Sequence, residues 1–598
     1  MTFRIAEAVS EHIVELSQTH LAEKIASYKT LGHANDALNN LTGIRHFFDN
    51  LQEFQEFRRL IMLPAQAFDS QKKREWGDFQ TPPELATRVC QYLVETGVSP
   101  ATIVEPTYGM GNFILAALRS FPAVELIYGV EVQERYKWQL KIALLIKALM
   151  GRCISTEIEL HQDNIFTHIF PGKVAKAQSI LVIGNPPWVT SAELGALESD
   201  NLPEKQNIRT LSGMDALTGK SNFDISEYIL LRLLDSFSQC RGTLAMLCKT
   251  STAKNIVEIL PKKQFKVLNI RTLEINASRD FGVAVEACLL VMELGHPASE
   301  RTCKVATLED PKHISRVFGW VGDKFVSNVK NYELNSDLDS ESELVWRQGL
   351  KHDCARIMEL SVVKGTLRNG NDEIVNVEKK HLYWLAKSSD LRSFEMNIPR
   401  KMVVVTQNHL NEDTSNLEIS APKLWKYLVR NSQHFEKRKS SIYRNKPRFS
   451  IFGVGEYSFK KYKVAVSGLY KELIFSLVCP VNTRPVMLDD TCYFLGFDSY
   501  LEALFTASLF NSARVKQFLY SIAFMDAKRP YTKAILMRLN VAHAIQRLSL
   551  QSLVEIWDSV DYQPQVSVTE ADFENYRRSF LNTGVGQESL QLTFSATD

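Results

Sequence analysis

The chain reads as a doubly wound α/β protein, a largely parallel sheet with helices on both faces. A helical cap precedes it and a mixed α+β region follows. Three observations predict this. Short apolar runs alternate with helical periodicity across residues 102–184, the pattern of strand–helix–strand units. The run Ile180-Leu181-Val182-Ile183 is apolar on both faces, as in a strand buried within a parallel sheet. Each run ends on an acid, a glycine or a proline turn, and open α/β sheets bind ligands at that carboxyl edge.

Taken in order, residues 1–72 carry helical spacing: Ile13, Leu16, Leu21 and Ile25, then Leu38, Leu41, Ile44, Phe47, Phe48, Leu51 and Phe54. Gly32 is expected to break two helices. Phe79-Gln80-Thr81-Pro82-Pro83 then leads into a helix from near Glu84; a threonine before a first-turn proline is a capping signal. A strand from Thr102 enters Glu105-Pro106-Thr107-Tyr108-Gly109-Met110-Gly111, followed by a helix carrying Ile114, Leu115 and Leu118. The two glycines let a ligand approach the backbone, and the helix start offers free amides. The GxGxxG spacing of dinucleotide folds is absent. A carboxylate at Glu105 repels pyrophosphate and suits an ammonium or sulfonium charge.

A second strand, residues 126–131, ends on Glu131, where such folds grip ribose hydroxyls. After a helix over 135–149, a third strand ends on Asp163, placed to accept from an adenine amine. The fourth strand runs into Gly184 and the turn Asn185-Pro186-Pro187-Trp188. Two prolines stop the sheet ladder and stiffen the backbone. They leave an amide, rigid carbonyls and a large aromatic face. That set suits attack by a planar exocyclic amine, whose lone pair is delocalised into its ring. The Asn185 side-chain oxygen and the Pro186 carbonyl can accept its two hydrogens while Trp188 stacks on the base. Each turn alone also fits a capped helix or a core aromatic; their order does not.

The chain has 598 residues and a net charge of +2, so its overall charge does not point to nucleic acid. Nine cysteines are scattered without CxxC spacing, which suggests neither a zinc site nor a redox motif. No metal is expected. With no secretory leader at its start and no apolar run of spanning length, the protein is expected to be cytoplasmic and away from membranes.

The order of Thr81, Glu105, Thr107, Gly109, Glu131, Asp163 and Asn185–Trp188 resembles the gamma arrangement of S-adenosylmethionine-dependent DNA amino methyltransferases, which modify adenine N6. The resemblance implies a Rossmann-like catalytic domain at 73–300, a DNA target-recognition domain at 301–545, and a helical segment and tail at 546–598. It implies that Phe79 and Thr81 contact the cofactor, that Glu105, Thr107, Gly109 and Gly111 surround its methionine end, that Glu131 holds its ribose and Asp163 its adenine. Asn185, Pro186, Pro187 and Trp188 would hold a base flipped from duplex DNA. The tetrapeptide more often ends in Tyr or Phe, and Asn164 stands where an apolar residue is usual. The polar stretch 190–217 is expected to close over the site. Beyond it, residues 243–248 and 287–292 read as the last strands, and Phe281 either stacks on the base or packs in the core. The implied setting is restriction–modification or phage defence, with a cognate restriction endonuclease or defence-complex subunits as partners. Cytosine N4 methylation is the alternative within the class, and a non-catalytic DNA-binding subunit that keeps the fold is the alternative outside it.

In the second half, Lys437, Arg438, Lys439, Arg444, Lys446, Arg448, Lys460, Lys461, Lys463 and Lys471 lie among Tyr443, Phe449, Phe452, Tyr457, Phe459 and Tyr462. Basic residues supply phosphate contacts and aromatics can stack or wedge; a solvated charged face over core aromatics is the plainer alternative. Lys528 and Arg529 form a second basic loop after a helix expected over 501–522.

Overall fold

The computed structural model describes residue 5 and residues 21–61, 80–151, 154–189, 224–296 and 300–581. Phe79 and the polar stretch 190–217 lie outside the described residues. Two compact units divide between Phe325 and Val326.

In the first unit, helices α1 (Leu21–Ser27), α2 (Leu31–Thr42) and α3 (Leu51–Ile61) precede α4 (Pro83–Glu95). Then come β1 (Thr102–Glu105), α5 (Asn112–Ser120), β2 (Leu126–Glu131), α6 (Glu134–Leu149), β3 (Glu157–Gln162), α7 (Gly172–Ala175) and β4 (Ile180–Gly184). They are followed by α8 (Ile225–Phe237), β5 (Gly242–Lys249), α9 (Thr250–Lys263), β6 (Val267–Ile275), α10 (Ala277–Phe281) and β7 (Ala287–Leu294). Strands β8 (Thr302–Thr307), β9 (Arg316–Val321) and β10 (Lys324–Val326) complete one ten-stranded sheet, ordered β10-β9-β8-β6-β7-β5-β4-β1-β2-β3. Strands β1 to β5 are parallel, and β7 lies antiparallel between β5 and β6. The sheet therefore runs past residue 300, where the resemblance implies that the catalytic domain ends. Strand β6 gave no clean signal in the sequence because its register shifts between Leu268 and Arg271, with Asn269 at positive φ.

In the N-terminal segment residues 28–30 break α1 from α2, just before Gly32, which sits in the first turn of α2; Thr30 caps that helix by accepting from the His33 amide. A second break falls at Gly43, φ +72°, where a Cβ would clash with the Thr156 carbonyl oxygen. Ile44 then bridges to β3 in parallel: the Ile158 amide donates to Gly43 O at 2.8 Å, and the Arg45 amide donates to Ile158 O at 3.0 Å. The helical cap thus covers a strand edge that would otherwise be exposed. Phe47, Phe48 and Phe57 pack around Trp138 of α6, all buried. Beside them the Lys141 ammonium donates to Phe47 O, and burial pushes its pKa down to about 8.

The second unit holds two smaller sheets. Four strands run in the order Arg347–Gln348, Cys492–Phe497, Tyr462–Ser467 and Phe475–Val478. Five run in the order Thr366–Arg368, Glu359–Val363, Lys401–Val404, Leu382–Ala386 and Met487–Leu488. The single helix expected over 501–522 is two, Tyr500–Asn511 and Ala513–Ile522, broken at Ser512. The C-terminal helices are tied to the first of these: Trp557 Nε1 donates to Ser508 Oγ at 2.7 Å, and the Tyr576 and Thr506 hydroxyls are 2.7 Å apart. Among the described residues no helix is long and apolar enough to cross a membrane.

Candidate active site at the sheet's carboxyl edge

From β1 the chain builds outward through β2 to β3, then returns to the other side of β1 as β4. Neighbouring strands whose connections leave in opposite directions open a crevice beyond their carboxyl ends. Val104 pairs with Val182 there, which brings the turns after Glu105 and Gly184 together. A Cβ on Gly184 would lie 3.4 Å from Pro106 Cδ and 3.7 Å from Glu105 Cγ. Thr107 Oγ1 donates to the Asn185 carbonyl at 3.5 Å, so the loop after β1 touches the tetrapeptide after β4.

The glycine turn is built by backbone contacts. Gly109 and Gly111 have φ of +50° and +76°, a region that costs other residues about 1–2 kcal/mol. The Gly109 amide donates to Glu131 Oε2 at 2.9 Å, and the Gln133 amide donates to Oε1 at 2.8 Å. Gln80 Oε1 accepts from the Met110 amide at 2.8 Å, while Asn112 Nδ2 donates to the carbonyl of buried Thr81 at 2.8 Å. Glu105 is buried and accepts from the Ile114 amide; burial, and after it the nearby Glu131 charge, raise its pKa well above the usual carboxylate range.

Asp163 lies just past β3, its amide donating to the Glu131 carbonyl at 3.1 Å and its side chain about half exposed. His168 Nδ1 lies 2.7 Å from its Oδ2, and the hydrogen bond there is the main cause of a lowered pKa. These groups fit S-adenosylmethionine: buried Glu105 for a cationic tail, the oriented Glu131 carboxylate for vicinal hydroxyls, and Asp163 as an acceptor for an amine.

Trp188 is 6% exposed, and its ring meets Phe281 edge to face with centroids 4.9 Å apart. Its Nε1–H is buried with no partner among the described residues. Phe281 ends α10 and is half-buried. Arg88 of α4 fixes that short helix by donating to Asp280 Oδ1 at 3.1 Å. Sequence reasoning missed Gln80, Asn112, Gln133, Arg88 and His168, because each acts through a contact that no local spacing encodes.

The basic residues of the second unit divide into two groups. Lys437, Lys439, Arg444, Lys461, Lys471 and Lys528 are exposed. Arg448 is exposed and pairs with Glu436 at 3.1 Å. Lys460 pairs with Asp498, Lys446 donates to Asn411, and Arg529 donates to the Asp490 carbonyl at 2.9 Å. Two residues depart from the expected phosphate contact. Lys463 is 1% exposed, and its ammonium donates to the Lys460 carbonyl at 2.7 Å. Arg438 lies over the Tyr443 ring at 3.7 Å and donates to the Ser450 and Arg448 carbonyls, tying its own loop together.

No protein-family model matches the chain. It is 39% identical over 473 residues to the type II methyltransferase M.NspV of a Nostoc species, covering 78% of this chain and 97% of that one. Among solved structures, it is similar to the type IIL restriction-modification enzyme MmeI in complex with DNA. That match has a TM-score of 0.51 and 10% identity, over 99% of this chain and 96% of that one. At that identity the likeness speaks to fold alone. The identity to M.NspV, over nearly that protein's whole length, carries the assignment: the chain belongs to the type II methyltransferase family.

Proposed function

We propose that the protein is a site-specific DNA methyltransferase that methylates the N6 amine of an adenine flipped out of duplex DNA. We place it in a restriction–modification or phage-defence setting, beside a cognate restriction endonuclease or defence-complex subunits. The observation that carries the reading is the meeting of Asn185–Trp188 with the Glu105–Gly111 turn at the β1/β4 crevice. Membership of the type II methyltransferases and the exposed lysines and arginines of the second unit support DNA as the substrate.

In this reading Glu131 accepts from the ribose hydroxyls of S-adenosylmethionine, Asp163 from its adenine amine, and Glu105, Thr107, Gly109 and Gly111 line its amino-acid end, with Thr81 and Phe79 beside them. When bound, the cofactor supplies an electrophilic methyl group on a sulfonium. Asn185 and Pro186 accept the two hydrogens of the target amine and orient its lone pair, and Pro187 keeps that corner rigid. Trp188 stacks on the base, with Phe281 edge-on against the Trp188 ring. Catalysis then rests on positioning and electrostatics, with no covalent enzyme intermediate.

Incubation of the full chain with methyl-labelled S-adenosylmethionine and duplex DNA, followed by nucleoside chromatography, tests this. Label is expected in N6-methyldeoxyadenosine. Label in N4-methyldeoxycytidine would reassign the base, and label confined to RNA or protein would overturn the reading.

A further inference from the structure

Asp163 does not stand alone at the end of β3. His168 is 7% exposed and holds its Nδ1 2.7 Å from Asp163 Oδ2, while its Nε2 lies 2.9 Å from the hydroxyl of Tyr128, itself 1% exposed. The imidazole is fixed from other sides as well. Its backbone amide donates to Asn164 O at 2.9 Å, its carbonyl accepts from Arg232 Nη2 at 2.6 Å, and Phe170 packs edge-on at 5.0 Å. The His161 ring stacks on Tyr128 at 4.4 Å and lies 5.9 Å from the His168 ring.

An ionised carboxylate only accepts, so Nδ1 must donate to Asp163. In the neutral ring this leaves Nε2 as an acceptor and the Tyr128 hydroxyl as its donor. The relay Tyr128–His168–Asp163 has one polarity. It pins Oδ2 in place, while Oδ1 is held by the Asn164 amide at 2.7 Å. With both oxygens held, the remaining lone pairs point in set directions, and they can meet a donor but not a second acceptor.

We propose that His168 and Tyr128 are positioning residues that make Asp163 select a 6-amino over a 6-oxo purine on the bound nucleoside. The proposal rests on the reading of Asp163 as the partner of the cofactor's adenine. Neither residue touches the ligand; both act through the carboxylate. A purely packing role for the buried histidine would weaken binding of amino and oxo ligands alike.

Calorimetric binding of S-adenosylhomocysteine and S-inosylhomocysteine to the full chain separates these. The wild type is expected to prefer the adenosyl ligand by about a hundredfold. His168→Phe keeps an aromatic ring but loses the donor, and should narrow that preference about tenfold. Tyr128→Phe removes only a hydroxyl, and should narrow it about threefold; it carries the test should His168→Phe not fold. His168→Asn, whose amide can stand where Nδ1 stood, should restore most of the preference. Asp163→Asn should narrow it most, because an amide can turn either face to the purine. A wild-type ratio in both His168→Phe and Tyr128→Phe, with a narrowed one in Asp163→Asn, would overturn the positioning role and leave the Asp163 reading standing. An unchanged ratio in Asp163→Asn would remove that reading and the proposal with it.

Discussion

The crevice between β1 and β4 and the basic stretch at 437–471 were both prominent in the sequence, and folding treats them differently. At the crevice, the residues singled out by spacing meet: Gly109 with Glu131, Thr107 with Asn185, Trp188 with Phe281. In the basic stretch the set is dispersed, with Lys463 buried, Arg438 bracing its own loop and Lys460 paired with Asp498. The difference lies in what fixes each side chain. Strand ends are placed by the backbone ladder, whose register the apolar runs dictate. A charge run is placed by whichever packing its strand requires. Lys463 shares a strand face with Ala465 and Ser467, and here both faces of that strand are buried.

The contrast can be broken most sharply at the tetrapeptide. Asn185→Ala is expected to lower methyl transfer by about a thousandfold or more while S-adenosylhomocysteine affinity stays near wild type; unchanged turnover would separate the corner from the chemistry. Gly109→Ala comes next, since its Cβ would lie 2.4 Å from Gln80 Oε1 at a φ of +50°. Cofactor affinity should fall about tenfold, in keeping with the 1–2 kcal/mol cost of that backbone region, and titration of S-adenosylhomocysteine checks it. In the basic stretch, Lys439→Ala or Arg444→Ala should weaken DNA binding a few-fold and reduce the salt slope by about 1. Lys463→Met should leave that slope unchanged; a reduced slope would return Lys463 to the DNA-contacting set.

A pH dependence sharpens the same contrast. Burial lowers the Lys463 pKa to about 7, against roughly 10.4 in an unfolded chain. Between these values the unfolded state binds more protons, so the contribution of this group to stability rises with pH from about 7 to 10. Lys463→Met should remove that rise from thermal melts of the protein; an unchanged pH profile would mean that the ammonium stays charged in the fold.

Much of the first sheet was legible because each apolar run stops at a residue that cannot continue a buried strand: Glu105, Glu131, Asp163, then Asn185-Pro186. What was hidden depends on partners distant in the chain. Residues 43–45 follow a helix and contain one isoleucine, and only β3 makes them part of a sheet. Asp163 is legible as an acid at a strand end, whereas its link to His168 and Tyr128 requires two strands and a loop to close. Strand β6 was hidden by its own irregular register.

The central claim is that the corner at Asn185 delivers methyl groups to adenine in DNA. Single-molecule sequencing of DNA from cells expressing the wild type or Asn185→Ala tests it most directly. The account predicts N6-methyladenine at one short recurring sequence in the first and none in the second; wild-type DNA without modified adenine, or equal modification in both, would contradict it.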